Sequence, residues 1–296
     1  MTSRTLLLTG ATGTVSTALL DTLTGSGFRL RALTRSEAGA DALRQRGVQP
    51  YLGDLDDPRS LPAAFDGVQD LWLLTPNGPR APEHSMNAVW AARQAGVQRV
   101  VRLSALRAST DAPTRSERLH ALSDHELARS GMSWTVLRSH WFMQNLFGNA
   151  REIATEGLFR LNMDSARLGM VDARDVAAVA ARVFTDEPGV HHGRTYTPTG
   201  PRSIPLIQVA EDLGQMLGQP VRYVPTPDED VERRLRGFGV PDWIVGMLTE
   251  YAQAYRSGWG DFTTTDVRDV TGHPPRSIAD FLRDHAEVFT AAGSPR

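Results

Sequence analysis

The chain has 296 residues, 41% of them hydrophobic and 22% charged, with a formal net charge of −2. That length and composition bury a sizeable core without staples, and the near-neutral balance leaves no electrostatic footprint for nucleic acid or an anionic membrane. There is no cysteine and all 32 basic residues are arginine, which excludes disulfides, thiolate nucleophiles, cysteine-bound metal, a Walker lysine and Schiff-base chemistry.

The first 140 residues alternate short apolar runs with amphipathic segments, the rhythm of a parallel sheet covered by helices. Strands are expected at Thr5–Thr9, Arg29–Thr34, Val48–Leu52, Asp70–Thr75, Arg99–Ser104 and Trp134–Arg138. Helices fall between them, near Val15–Leu23, Ala38–Arg46, Leu61–Phe65, Glu83–Ala95 and Glu117–Arg129. Glycines follow most of these helices, where a left-handed C-cap is needed. Beyond Trp141 the rhythm loosens. A helix is expected at Arg174–Phe184 and strands at Arg194–Thr197 and Val221–Val224. Further helices are expected at Ile204–Leu217, Asp228–Arg236, Pro241–Tyr255 and Ser277–Phe289, with a loose tail at Ala291–Arg296. The expected plan is α/β: a doubly wound, Rossmann-like parallel sheet in residues 1–155, completed by part of 165–200. A smaller, mostly helical C-terminal substrate lobe follows in 156–296. No apolar run approaches a spanning helix, and Leu6–Leu8 is too short for a signal-peptide core, so a cytoplasmic protein is expected.

The sharpest motif is Leu6-Leu7-Leu8-Thr9-Gly10-Ala11-Thr12-Gly13-Thr14-Val15-Ser16, a glycine loop between a strand and a helix. In that context Gly10 allows the tight turn, and Gly13 lets backbone approach a pyrophosphate at the helix N-terminus. Free N–H groups and the helix dipole favour an anion there, so Gly10, Thr12, Gly13, Thr14 and Val15 are cofactor-site candidates. The third glycine position is Ser16. Its hydroxymethyl group either shifts the helix slightly or simply fits.

An NAD-preferring site places a carboxylate about 20 residues beyond the loop. Here the window reads Leu33-Thr34-Arg35-Ser36, and Arg35 instead suits a 2′-phosphate, which points to NADP(H). After the third strand, Asp54 with Leu55 reads equally as an acceptor for the adenine amino group or as a cap. Leu74, Thr75 and Pro76 end the fourth strand and Ser104 the fifth, at the carboxyl edge where such sheets bind ligands.

With these residues placed, the chain resembles the NmrA-like family of atypical short-chain dehydrogenase/reductases. The resemblance rests on Thr9–Gly13, Arg31–Arg35, Gly53-Asp54-Leu55, Ser130–Arg138, Phe142–Leu146, Val171–Ala177, Thr199-Gly200-Pro201 and Gly272–Arg276. It spans nearly the whole chain. It implies either an NADPH-dependent reductase of a quinone or dye, or a regulator that senses dinucleotides without turning them over. Two positions depart from the family pattern: Ser16 for glycine, and Ser139 for the proline that commonly follows the Leu137-Arg138 pair.

The tyrosine–lysine pair of ordinary short-chain reductases is excluded, because lysine is absent and no tyrosine lies between Tyr51 and Tyr196. Related isoflavone-type reductases keep a lysine on the helix before the sixth strand, and by register His120 stands at the similar position. A histidine there can deliver or hold a proton near neutral pH, with Asp124 four residues on as a partner that would raise its basicity. His120 and His125 do not share a helix face, so no metal site is expected. Asn145 could bond a substrate carbonyl, with Trp141, Phe142, Met143 and Trp259 as apolar walls. Tyr251, Tyr255 and Phe262 read as further walls or as core. Asp172 and Asp175 are expected to cap the helix near Arg174, and Arg138 at its strand end reads as a carboxylate binder or, more readily, as a brace for that turn.

These residues lead to an NADPH-dependent reductase of a small apolar or aromatic, quinone-like acceptor. A non-catalytic dinucleotide sensor and a non-redox isomerase or cyclase are the alternatives. The expected partners are a small molecule, and a second copy or a regulatory protein.

Overall fold

The computed structural model describes residues 4–290, so the tail expected at 291–296 lies outside the described residues. The chain divides into two compact units. One takes the chain up to Ala112, Ser116–Ser139 and Val176–Thr197; the other takes Pro113–Arg115, His140–Asp175 and the chain from Pro198 onward. The division therefore falls after Ser139, ahead of residue 155, because the turns that follow pack within the second unit.

In the first unit the strands are β1 (Thr5–Leu8), β2 (Arg29–Thr34), β3 (Gln49–Leu52), β4 (Asp70–Leu73), β5 (Arg99–Ala105) and β6 (Ser133–Ser139). They pair in parallel in the order β3-β2-β1-β4-β5-β6, and Arg194–Tyr196 adds a seventh strand beside β6. The sheet is Rossmann-like, with its order reversing between β1 and β4. That is the point at which doubly wound sheets open a crevice for ligand. Helices α1 (Thr14–Leu23), α2 (Glu37–Gln45), α3 (Pro62–Phe65), α4 (Ala81–Gln94) and α5 (Arg115–Ala128) make the crossovers. The glycines past α1, α2, α4 and α5 take positive φ, as the cap reading requires.

All four residues of β1 and of β4 are buried. Both faces of a parallel sheet are covered by helices, so such strands read as continuous apolar runs rather than alternating ones. Leu7, Leu71, Leu73, Val100 and Val136 from the sheet meet Phe65, Val89, Ala92 and Leu127 from the helices in one cluster. Each of the leucine, valine and phenylalanine side chains contributes about 1.5–3 kcal/mol by leaving water.

Two charges interrupt this core at the amino edge of the sheet. Asp70, fully buried, receives Arg99 at 2.7 Å and Arg4 at 2.7 and 3.0 Å. Arg99 also donates to the carbonyls of Val183, Phe184 and Asp186, holding the C-terminus of helix Ala173–Thr185.

The second unit is mainly helical, with Leu206–Leu217, Asp228–Gly237, Asp242–Arg256 and Ile278–Asp284 close to expectation. Ile204–Pro205 is instead a short strand against Arg167–Leu168, because Pro205 supplies the N-cap from which the helix starts. The expected helix to Phe289 stops at Asp284 and resumes as a 3-10 turn at Ala286–Phe289. No expectation covered the 3-10 turns Pro58–Ser60 and Met143–Asn149, helices Ala150–Glu156 and Asp266–Thr271, or strand Arg167–Leu168. Strand Leu158–Leu161, paired in parallel with Arg222–Pro225, is likewise unforeseen. All are short, and the strands depend on distant partners. No helix among the described residues is long and apolar enough to cross a membrane.

Candidate functional site

The end of β1 is tied to the end of β4 by one hydroxyl. Thr9 Oγ1 donates to the Leu74 carbonyl at 2.8 Å and accepts from the Leu74 N–H at 2.9 Å. The next residue, Gly10, has φ +59°, and a Cβ there would overlap the Leu74 side chain. Gly13 N–H closes the turn on the Gly10 carbonyl at 3.0 Å, and Gly13 then serves as the N-cap of α1. No side chain caps α1, and its first turn carries no acidic residue. The first-turn N–H groups of Thr14, Val15 and Ser16 are thus left to an outside acceptor. With Thr12 and Thr14 exposed beside them, this cradle of bare backbone donors fits a pyrophosphate.

Ser16 fits without displacement. Its Oγ accepts the indole N–H of Trp72 at 2.9 Å, and both residues are fully buried. The hydroxyl that breaks the glycine fingerprint satisfies a polar group of β4 that would otherwise be orphaned in the core.

Arg35 stands exposed just past β2, before Ser36, which caps α2 by accepting from Gly39 N–H at 3.1 Å. It forms no ion pair among the described residues. The nearby Asp56 carboxyl lies below its ordinary range, held there by hydrogen bonding to His84 and by the charges of Arg80 and Arg35. Asp54 is half-buried, and its Oδ1 accepts from the Asp56 N–H at 3.0 Å, which forms the turn after β3. Asp57, not Asp54, caps the 3-10 turn at Pro58–Ser60. Leu55 and Thr75 are buried, Leu74 is half-buried and Pro76 is exposed.

Toward the carboxyl edge, β5, β6 and α5 share a charged cluster. Asp124 on α5 is 5% exposed. It accepts from Arg102 at 2.9 Å, from Ser104 Oγ at 2.9 Å, and from Arg138 Nε and Nη2 at 3.2 and 3.1 Å. Ser104 is therefore turned into the cluster and is buried. Both expectations about this region need correction. Arg138 does not brace the Asp172–Asp175 turn; it pairs with Asp124. His120 does not pair with Asp124, because the guanidinium of Arg102 lies between them. Nδ1 of His120 is 3.3 Å from both Nη1 and Nη2 of Arg102. An arginine only donates, so Nδ1 accepts and the ring proton sits on Nε2. Burial, and then the charges of Arg102 and Arg138, push the imidazole well below its ordinary 6.5. His120 is thus a neutral hydrogen-bond donor, and its expected rise in basicity is reversed. Arg102 was not anticipated. The signal was a charge inside the apolar run Val100-Val101-Arg102-Leu103 of a fully covered strand.

In the second unit, Trp141–Met143 runs extended beside Val171, with Met143 N–H donating to the Val171 carbonyl at 2.9 Å. Asn145 is exposed, Trp141, Phe142 and Trp259 are half-buried, and Met143 is 2% exposed. Met143 is accordingly a core residue and not a wall. His140 stacks on Tyr255 with centroids 6.0 Å apart, Tyr255 stacks on Tyr251 at 6.0 Å, and Phe262 leans on the imidazole at 5.6 Å. His140 and Tyr255 are buried, which makes this stack core. Asp172 caps its helix as expected, accepting from Arg174 N–H at 2.8 Å. Asp175 is held by Arg276 instead.

Residues 10–187 match the family described as NAD(P)H-binding. The chain belongs to that family. Along its length it is 35% identical, over 97% of this chain and 100% of the relative, to the NAD(P)H azoreductase of Xenophilus azovorans. An NADPH-dependent quinone oxidoreductase from Escherichia coli, solved with NADPH, superposes with TM-score 0.84. It shares 26% identity over 95% of this chain and 99% of that one. The negative transcriptional regulator NmrA, solved with NADP, shares the fold at TM-score 0.80 and 17% identity, over 100% of this chain and 99% of that one. The chain is therefore a member of the NAD(P)H-binding family that shares its fold with NmrA, and its glycine loop has serine at the third position.

Proposed function

We propose that the protein is an NADPH-dependent reductase of quinone-like acceptors that works without a side-chain acid. The observation that carries this is the uncapped, acid-free N-terminus of α1 behind Gly10 and Gly13, beside a sheet whose carboxyl-edge histidine is neutral. The N–H groups of Thr14, Val15 and Ser16 bind the pyrophosphate, and Arg35 binds the 2′-phosphate. Leu74, Thr75 and Pro76 border the nicotinamide-side ribose, and Asp54 keeps one oxygen for the adenine side. Bound NADPH supplies a hydride. His120 presents its Nε2–H to the acceptor carbonyl, and solvent delivers the proton that the product needs. Quinone reduction suits this machinery because the acceptor's own electron affinity replaces acid catalysis.

Calorimetric titration with NADPH and NADH, followed by a naphthoquinone turnover assay, tests the proposal. NADPH should bind at least about tenfold tighter than NADH, a difference of about 1.4 kcal/mol. Arg35→Ala should abolish that preference while leaving NADH within about threefold. Equal losses for both dinucleotides would remove Arg35 from the site. Binding of NADPH with no turnover of any quinone would favour the dinucleotide-sensing alternative.

A further inference from the structure

The charged cluster at β5, β6 and α5 does not balance. It holds two guanidiniums, Arg102 and Arg138, against the single carboxylate of Asp124, and the His120 beside Arg102 is neutral. Asp70 at the amino edge also has two arginines, but there every guanidinium nitrogen has an acceptor. At Asp124 this is not so. Arg102 is 1% exposed and its Nε has no partner. Arg138 uses Nε and Nη2 on Asp124, and its Nη1 has no acceptor among the described residues. Arg138 is also the more accessible of the two, with its side chain 27% exposed. The cluster therefore carries excess positive charge near the carboxyl end of β6, on a guanidinium that is partly open to solvent.

Resting on the reductase reading above, we propose that Arg138 is a catalytic residue. Its free Nη1–H, with the Nε2–H of His120, stabilises the oxyanion that forms when hydride reaches a carbonyl-type acceptor. The same positive charge excludes cationic acceptors. In this step the two electrons and hydrogen of the hydride pass from NADPH to the quinone, leaving NADP⁺ and the hydroquinone monoanion. A proton from water then gives the hydroquinone. Pre-aimed donors in a dry site act where charge develops, which is how an enzyme accelerates such a step without an acid. The substrate class follows: neutral or anionic quinones and related conjugated carbonyl compounds, and not cationic dyes.

The test compares wild type with Arg138→Gln and Arg138→Lys. Each is assayed for NADPH binding by calorimetry and for turnover with a neutral naphthoquinone, an anionic naphthoquinone sulfonate and a cationic triphenylmethane dye. Arg138→Gln should lower kcat/KM at least tenfold for the neutral quinone, more for the sulfonate, and leave or raise it for the dye. Arg138→Lys keeps the charge and should recover most of the loss, which also covers a glutamine variant that fails to fold. Removal of Arg138 should further raise the His120 titration midpoint in an NMR titration. Equal losses for all three acceptors, or a wild type that prefers the cationic dye, would overturn the proposal. A wild type that binds no NADPH would instead overturn the reductase reading itself.

Discussion

Two aspartates, each flanked by two arginines, sit at opposite edges of the same sheet. Asp70 at the amino edge and Asp124 toward the carboxyl edge are both buried. At Asp70 the guanidinium nitrogens are consumed by the carboxylate, by Gln98 and by the last carbonyls of a helix. That cluster is closed: it fixes the chain and offers nothing to a ligand. At Asp124 the nitrogens exceed the acceptors, and a neutral histidine joins them. Similar composition thus gives a brace at one edge and an unspent donor set at the other. The difference is one of hydrogen-bond accounting rather than of residue type.

The largest test removes the carboxylates. Asp70→Ala and Asp124→Ala each leave buried guanidiniums uncompensated and should cost about 3–5 kcal/mol in urea unfolding. Only Asp124→Ala should also disturb the acceptor ranking; if Asp70→Ala disturbs it equally, the two edges are not functionally distinct. A smaller effect is expected at Ser16. Ser16→Gly restores the common fingerprint yet orphans the Trp72 indole N–H, at about 1–3 kcal/mol. NADPH affinity should stay within about threefold. A gain in stability would show that the Trp72 bond contributes nothing.

The smallest expected effect concerns pH. His120 has a folded pKa below the ordinary 6.5, so the unfolded chain binds the proton more readily. Its contribution to stability is present above 6.5 and is lost as the pH falls from there toward the depressed folded value. In His120→Gln this segment of the stability curve should flatten. Turnover of wild type should show no inflection from His120 near neutrality; an inflection abolished by His120→Gln would restore it as a proton donor.

Where local pattern decides structure, the sequence was legible. Strand Arg29–Thr34 matches the expectation end to end, and the other sheet strands differ by one or two residues. The missed elements, such as strand Leu158–Leu161, are short and exist through a partner some sixty residues away. The glycine loop was readable because backbone donors at a helix start depend only on the local turn. The cluster around Asp124 was not, because its members come from three separate elements, β5, α5 and β6, and spacing along α5 suggested the wrong pair.

By itself, then, the sequence determined the Rossmann-like sheet, the glycine cradle, an arginine in place of a carboxylate just past the second strand, and the exclusion of a tyrosine–lysine mechanism. These follow from residue type and local order. Only the tertiary structure decided that Ser16 serves Trp72, that Met143 is core, and that Arg102 separates His120 from Asp124. It also decided that His120 is neutral. Burial and the charges of neighbouring strands set a protonation state, and neither is written in the spacing of one helix.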